Sequence, residues 1–191
     1  MKISIDGNIG AGKTTVLKQL ASEYKVILEP VEEWKDYLTR FYQDPIRWGF
    51  CFNLKVLCSF APWKSTKDFV LFERSPNACK EVFTQMHFDD GNMDELEMRT
   101  FNEIYNNVGW KPDILIYIQS NPENCLTRIK TRGRESEQNI SLEYLQKVHK
   151  KYELLAKNTQ HIYVIDGEKN QDKVLSEVKK FISTLSANSK C

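Results

Sequence analysis

Short apolar, β-branched runs alternate along this chain with longer stretches in which apolar residues recur every three or four positions. The runs at 2–6, 25–28, 69–73, 113–118 and 161–165 have the length and composition of buried strands. Between them, Met93, Leu96, Phe101, Ile104 and Val108 fall at helical spacing, as do Leu142, Leu145, Val148, Tyr152 and Leu155. Strands separated by helices imply β-α-β units, so the expected fold is α/β, a parallel sheet flanked by helices. Turn signals stand at Asp44-Pro45, Ala61-Pro62, Asp89 to Asn92 and Lys111-Pro112, and no repeat or linker interrupts the chain. One domain over residues 1–184 is expected, followed by a polar tail, 185–191, that frays.

Composition then removes several function classes. The 191 residues are 41% apolar and 28% charged, ordinary for a globular protein. A net charge of +1 offers no overall attraction to nucleic acid or to a membrane surface, so any basic patch is local. Cys51, Cys58, Cys79, Cys125 and Cys191 form no C-x-x-C pair and no metal spacing with the three histidines. They read as reduced thiols of a cytosol-like compartment. No stretch reaches the roughly 18 consecutive apolar residues of a membrane-spanning helix. The strand pattern begins at the first residues, leaving no room for a leader, and a cytoplasmic location is expected.

Candidate chemistry begins at residues 7–14, "GNIGAGKT", which fit G-x-x-x-x-G-K-S/T without mismatch. A strand precedes them and the helix-like "KTTVLKQLASEY" follows, the context a phosphate-binding loop requires. Gly7, Gly10 and Gly12 permit backbone conformations that let successive N–H groups face phosphate oxygens, with Asn8 and Ala11 between them. Lys13 adds a full positive charge to the helix N-terminus, and Thr14, followed by Thr15, offers a hydroxyl to Mg²⁺. The expected ligand is a nucleoside triphosphate bound through its phosphates. Neither D-x-x-G nor N-K-x-D occurs, so the GTPase switch elements are missing. The third strand, "DFVLFERS", ends in Glu73, which stands where a metal-binding acid is needed.

Three further groups point to the same end of the sheet. Glu29 closes the second strand and Pro30 stops that strand from continuing, so Glu29 is either a solvated residue before a helix or a base beside the phosphate loop. Arg74, after Glu73, is either half of a rim salt bridge or the partner that holds such a base. In "TRIKTRGRESE", Arg128 and Arg132 are four apart, and Gly133 loosens the chain before Arg134, Glu135 and Glu137. That segment is either a solvated charged helix or a cationic flap over a transferring phosphoryl group.

Taken together, "GNIGAGKTT", "EPVEEW", "YQDPIRW", "FERS" and "RIKTRGRESE" closely resemble the deoxynucleoside kinase family over residues 1 to about 165. That family includes thymidine kinases, deoxycytidine and deoxyguanosine kinases and a broad-specificity insect enzyme. The resemblance implies an ATP-dependent 5′-kinase on a five-stranded parallel sheet of the P-loop type, generally a homodimer, acting on a small-molecule deoxynucleoside. By position, Glu29 resembles the base that activates the 5′-hydroxyl and Arg74 its partner, while Thr14 and Glu73 resemble Mg²⁺ contacts and Lys13 the phosphate clamp. Arg132 and Arg134 resemble lid arginines assisted by Arg128, and Tyr42 with Glu137 resembles the pair that holds the sugar 3′-hydroxyl. Trp34, Val56, Phe60 and Phe83 match positions that enclose the base.

Two departures bear on the substrate. Asn53 stands where the family usually has Gln, offering the same donor and acceptor on a side chain shorter by one methylene. Cys79 stands where deoxycytidine and deoxyguanosine kinases carry Asp, which shifts the expectation towards thymidine and other pyrimidine deoxynucleosides. The compact chain also resembles virus-encoded members, which would place it in a host cytoplasm. A thymidylate-type monophosphate kinase is the alternative, but Glu29 would repel the phosphate of its substrate. A nucleotide-sensing switch is a further alternative, opposed by the missing GTPase elements and the candidate base and lid.

Overall fold

The computed structural model describes residues 1–134 and 137–188, with the side chains of 186–188 excepted; Glu135 and Cys191, both singled out above, lie outside the described residues. Strands β1 (Lys2–Gly7), β2 (Lys25–Ile27), β3 (Val70–Glu73), β4 (Ile114–Gln119) and β5 (Ile162–Asp166) form one sheet in the order β2-β3-β1-β4-β5. Each neighbouring pair is parallel, with Ile5 opposite both Glu73 and Ile116 in register. The five strands fall within a residue or so of the expected runs, because each is a continuous apolar stretch too short to close helical turns.

Helices alternate with the strands. They are α1 (Lys13–Leu20), α2 (Val31–Gln43), α3 (Pro45–Ser59), α4 (Pro76–Ala78), α5 (Gln85–Asp89), α6 (Glu95–Val108), α7 (Pro122–Arg132), α8 (Leu142–Lys157) and α9 (Gln171–Asn188). A π-helical stretch, Cys79–Thr84, joins α4 to α5. Local chemistry sets several starts. Asp44 caps α3 through the Arg47 N–H at 3.0 Å, and Pro45 takes the first helical position, where no N–H is needed. Asp94 and Glu97 cap α6 reciprocally, at 2.8 and 3.1 Å. Helix α9 continues to Asn188, past the boundary at 185 expected from polarity alone, since Val174, Val178 and Ile182 anchor its apolar face in the core.

The main core lies on one face of the sheet, where Ile3, Ile5, Leu71, Ile116 and Ile118 meet Val16 and Leu20 of α1 and Val178 of α9. On the other face Leu115 and Tyr117 meet Val82, Met86 and Val148. The alternation of β1 places Ser4 and Asp6, both fully buried, opposite its isoleucines. The chain leaves β1, β2 and β3 at Gly7, Ile27 and Glu73, and one cavity opens beyond these carboxyl ends.

Candidate active site

The cavity measures about 410 Å³ and runs from the glycine-rich loop to the aromatic residues of α2 and α3. At the loop, Gly10 and Gly12 have φ of 82° and 94°. A Cβ on Gly10 would stand 2.6 Å from the Cys125 carbonyl oxygen, so both backbone conformation and close approach demand glycine there. Lys13 is buried, its Nζ donating to the carbonyl oxygens of Gly7 at 3.2 Å and Asn8 at 2.9 Å. Burial, reinforced by Arg74, lowers its pKa to about 8. Thr14 Oγ1 donates to Glu73 Oε1 at 2.5 Å.

Arg74 follows β3 with φ of 63°, the one non-glycine residue with positive φ among the described residues. That conformation costs roughly 1–2 kcal/mol and turns the side chain back across the sheet edge. Its Nε pairs with Glu29 Oε1 at 2.8 Å, and its Nη1 donates to Gly7 O at 3.0 Å and to the Tyr152 hydroxyl. The guanidinium also lies over the Phe83 ring, 4.6 Å from its centroid. Tyr152 donates in turn to buried Asp6 at 3.4 Å. The Glu29 side chain keeps 15% of its exposure, opening to the cavity. Burial raises its carboxyl above the ordinary value, against the pull of Arg74. Glu29 is therefore a positioned carboxylate beside the phosphate loop, not a solvated helix start, and its backbone N–H donates to Glu73 Oε2 at 3.4 Å.

From the far side, Arg132 and Arg134 both reach Glu137. Arg132 Nε and Nη2 donate to Oε2 at 3.1 and 2.5 Å, and Arg134 Nη1 donates to Oε1 at 3.3 Å. All three line the cavity, as does Tyr42. Gly133, with φ of 66°, ends α7 between the two arginines. Arg128 departs from expectation. It shares the helix with Arg132, but its Nη2 donates to Gly167 O at 3.0 Å, tying α7 to the end of β5 away from the cavity lining. Asn8 and Ala11 likewise serve the loop itself. The Asn8 amide donates to Leu145 O at 2.9 Å, and Ala11 is core. Thr15 lines the loop end of the cavity.

At the opposite end, Trp34, Val56, Phe60, Cys79 and Phe83 line an apolar wall. Asn53 is there too, but its carboxamide is already engaged: Nδ2 donates to Gly49 O at 2.8 Å and Oδ1 accepts from Thr84 Oγ1 at 3.2 Å. Burial pushes the Cys79 thiol up to about 12, so it is neutral. Sequence reasoning missed His87, Tyr144 and Phe41 of this wall, and Tyr152 behind Arg74. Helical spacing marked Tyr152 as core and says nothing of where its hydroxyl ends. For His87 no sequence signal was present.

Magnesium fits the donor set. Thr14 and Glu73 bring two hard oxygens together next to Lys13, suited to an ion whose other positions are filled by phosphate and water. Among the described residues no cluster of three or more His, Cys, Asp or Glu forms a metal cage.

The deoxynucleoside kinase family model matches residues 3–183, nearly the whole chain. The chain belongs to the deoxynucleoside kinase family. It is thus a kinase with a nucleotide-binding α/β fold. It is 32% identical to the probable deoxycytidine kinase of fowlpox virus (strain NVSL), over 96% of this chain and 89% of that one. It is 31% identical to human deoxycytidine kinase, with coverage of 96% and 92%. A deoxyadenosine kinase from M. mycoides, solved with its products dCMP and a flexible dCDP, superposes with a TM-score of 0.86 at 28% identity, covering 97% of this kinase and all of that chain. Structures of the same M. mycoides enzyme hold dCTP and dATP. No helix among the described residues of this kinase is long and apolar enough to cross a membrane.

Proposed function

We propose that this kinase transfers the γ-phosphoryl group of ATP to the 5′-hydroxyl of a deoxyribonucleoside, preferring pyrimidines and accepting thymidine. The observation that carries the reading is the Glu29–Arg74 pair, 2.8 Å apart and facing the same cavity as Lys13. Glu29 accepts the 5′-hydroxyl proton as that oxygen bonds to the γ-phosphorus and the bond to the bridging oxygen breaks, releasing ADP. Arg74 holds Glu29 in place and, as a fixed cation, keeps it ionised. Lys13 exchanges the Gly7 and Asn8 carbonyls for phosphate oxygens, joined by the inward N–H groups of the loop. Arg132 and Arg134 leave Glu137 for the equatorial oxygens of the transferring group, and Glu137 with Tyr42 takes the sugar 3′-hydroxyl. Thr14 and Glu73 would hold Mg²⁺, which would supply positive charge to the nucleotide's phosphates.

The preference for pyrimidines rests on the neutral Cys79 thiol, which puts no acid before a base amino group and leaves room for thymine. The deoxycytidine kinases among the relatives favour deoxycytidine as a second acceptor. A homodimer belongs to the same reading, supported by the resemblance and by Ile46 and Leu96, 70% and 61% exposed on packed helices α3 and α6. Labelled ATP offered with each deoxynucleoside, with dTMP, or without acceptor tests the proposal. Label in thymidine and deoxycytidine is expected. Transfer to dTMP alone, or hydrolysis without transfer, overturns the assignment; purine turnover without thymidine turnover overturns the base preference.

A further inference from the structure

His87 is placed where a substrate would find it, yet none of the residues assigned above gives it a task. It sits on α5, lines the cavity, and is only 2% exposed. Its ring meets Phe41 edge-on, with centroids 4.8 Å apart, and lies 6.5 Å from the Tyr144 ring. Among the described residues its Nδ1 is enclosed without a hydrogen-bond partner. An unsatisfied buried nitrogen costs about 1–3 kcal/mol, so a methionine or leucine would serve this wall better if packing were its only duty.

The neighbouring polar group does not fill the need. Asn53 spends one donor on Gly49 and one acceptor site on Thr84, keeping half its capacity for a ligand. The rest of the wall beside it is Trp34, Val56, Phe60 and Phe83, whose surfaces stack on or enclose a base without telling one polar edge from another. A neutral imidazole carries one donor and one acceptor, and rotation about its Cβ–Cγ bond brings either nitrogen to the cavity. Burial keeps His87 neutral at physiological pH, its pKa lowered to about 4.

We propose that His87 is a specificity-determining residue of the nucleoside pocket, its imidazole hydrogen-bonding the polar edge of the base, directly or through one water. The inference rests on the deoxynucleoside reading above and deepens it. The ligand class is a pyrimidine deoxynucleoside, whose edge presents donor and acceptor atoms side by side. The imidazole then completes the base reading that the pinned Asn53 leaves half done.

Equilibrium binding of thymidine, deoxycytidine and deoxyadenosine, measured by calorimetry without ATP, tests this on the wild type and on His87→Leu, His87→Met and His87→Asn. The apolar variants should weaken the best pyrimidine ~3- to 10-fold while deoxyadenosine changes less, so the order of bases shifts. His87→Asn, which sets an amide near the Nδ1 position, should recover part of the loss. His87→Met reads the same difference should His87→Leu fail to fold. Unchanged ratios among the three nucleosides in an apolar variant, or an equal loss for all three, overturn the assignment of His87 while leaving the kinase reading intact. Wild-type binding of nucleosides that receive no label in the labelled-ATP assay overturns the deoxynucleoside reading and leaves His87 to be judged by the ratios. Absence of binding to all three nucleosides overturns both.

Discussion

At the phosphate end of the cavity the candidate catalytic and phosphate-binding side chains are held by partners: Glu29 by Arg74, Lys13 by two loop carbonyls, and Glu73 by Thr14. At the base end the wall is apolar, and two of its residues, Trp34 and His87, carry a buried nitrogen without a partner among the described residues. The contrast follows from what each end must do. Charge that develops during phosphoryl transfer is best met by dipoles and ions already held in place, because reorganising them would add to the barrier. A base, by contrast, is told apart by hydrogen bonds that form on its arrival, and groups left unpaired until then penalise the wrong ligand. The strained backbone of Arg74 stands at the phosphate end, where a fixed geometry repays its cost.

The sharpest way to break this comparison is Glu29→Gln. It should lower kcat by ~10²-fold or more while ATP binding persists, since the proton acceptor is lost and the fold is not. Near-normal turnover would remove Glu29 from the chemistry. In the wild type the raised Glu29 pKa places the acid limb of kcat/KM above the ordinary carboxylate range, with activity falling as pH drops through it. Next in size is the stability linked to His87. Its pKa is lowered from 6.5 to about 4 in the fold, by burial against a small opposing pull from Asp90. The unfolded chain therefore binds more protons in that window. The stability contribution is full above pH 6.5 and is lost as pH falls towards 4, amounting to about 2 kcal/mol between roughly pH 7.5 and 5. Thermal unfolding across that range should be flatter in His87→Leu than in the wild type, and equal slopes would place the imidazole in contact with water.

A smaller effect is expected at Glu137, the group that joins the two ends. Glu137→Gln should raise KM for a deoxynucleoside ~10-fold but that for its 3′-deoxy analogue hardly at all, since a sugar contact to the carboxylate is a charge-assisted hydrogen bond. Equal rises for both would mean that Glu137 serves the lid arginines and not the sugar. The smallest change is expected for Asn53→Gln. The longer carboxamide should shift the ratio of thymidine to deoxycytidine binding by about threefold, at a packing cost of about 1–3 kcal/mol in α3. A ratio that does not move would leave base reading to His87.

Legibility differed between the two ends for the same physical reason. The glycine loop is contiguous, and its geometry depends on backbone conformation and a helix start, both written in eight neighbouring residues, so Gly10, Gly12, Lys13 and Thr14 are legible from the sequence. Glu29 and Arg74 were each open to a bland reading until the sheet brought the ends of β2 and β3 together. Arg128 shows the limit of spacing arguments. Spacing four residues from Arg132 says only that the two share a helix face, and its side chain is drawn to the Gly167 carbonyl, thirty-nine positions away in sequence. The sequence shows which donor and acceptor Asn53 offers but not that Gly49 and Thr84 engage them, because those partners arrive only when α3 meets the π-helical stretch.

By itself the sequence determined the α/β order of elements, the phosphate loop and the family, because these depend on periodicity and on contiguous motifs. Only the tertiary structure decided that Arg74 turns back onto Glu29, that Tyr152 and Asp6 support it, and that Glu137 gathers both lid arginines. It alone decided that His87 faces the nucleoside pocket with a nitrogen unsatisfied. Hydrogen bonds reach about 3 Å and have no memory of sequence distance, so who partners whom is settled only when the strands and helices have packed.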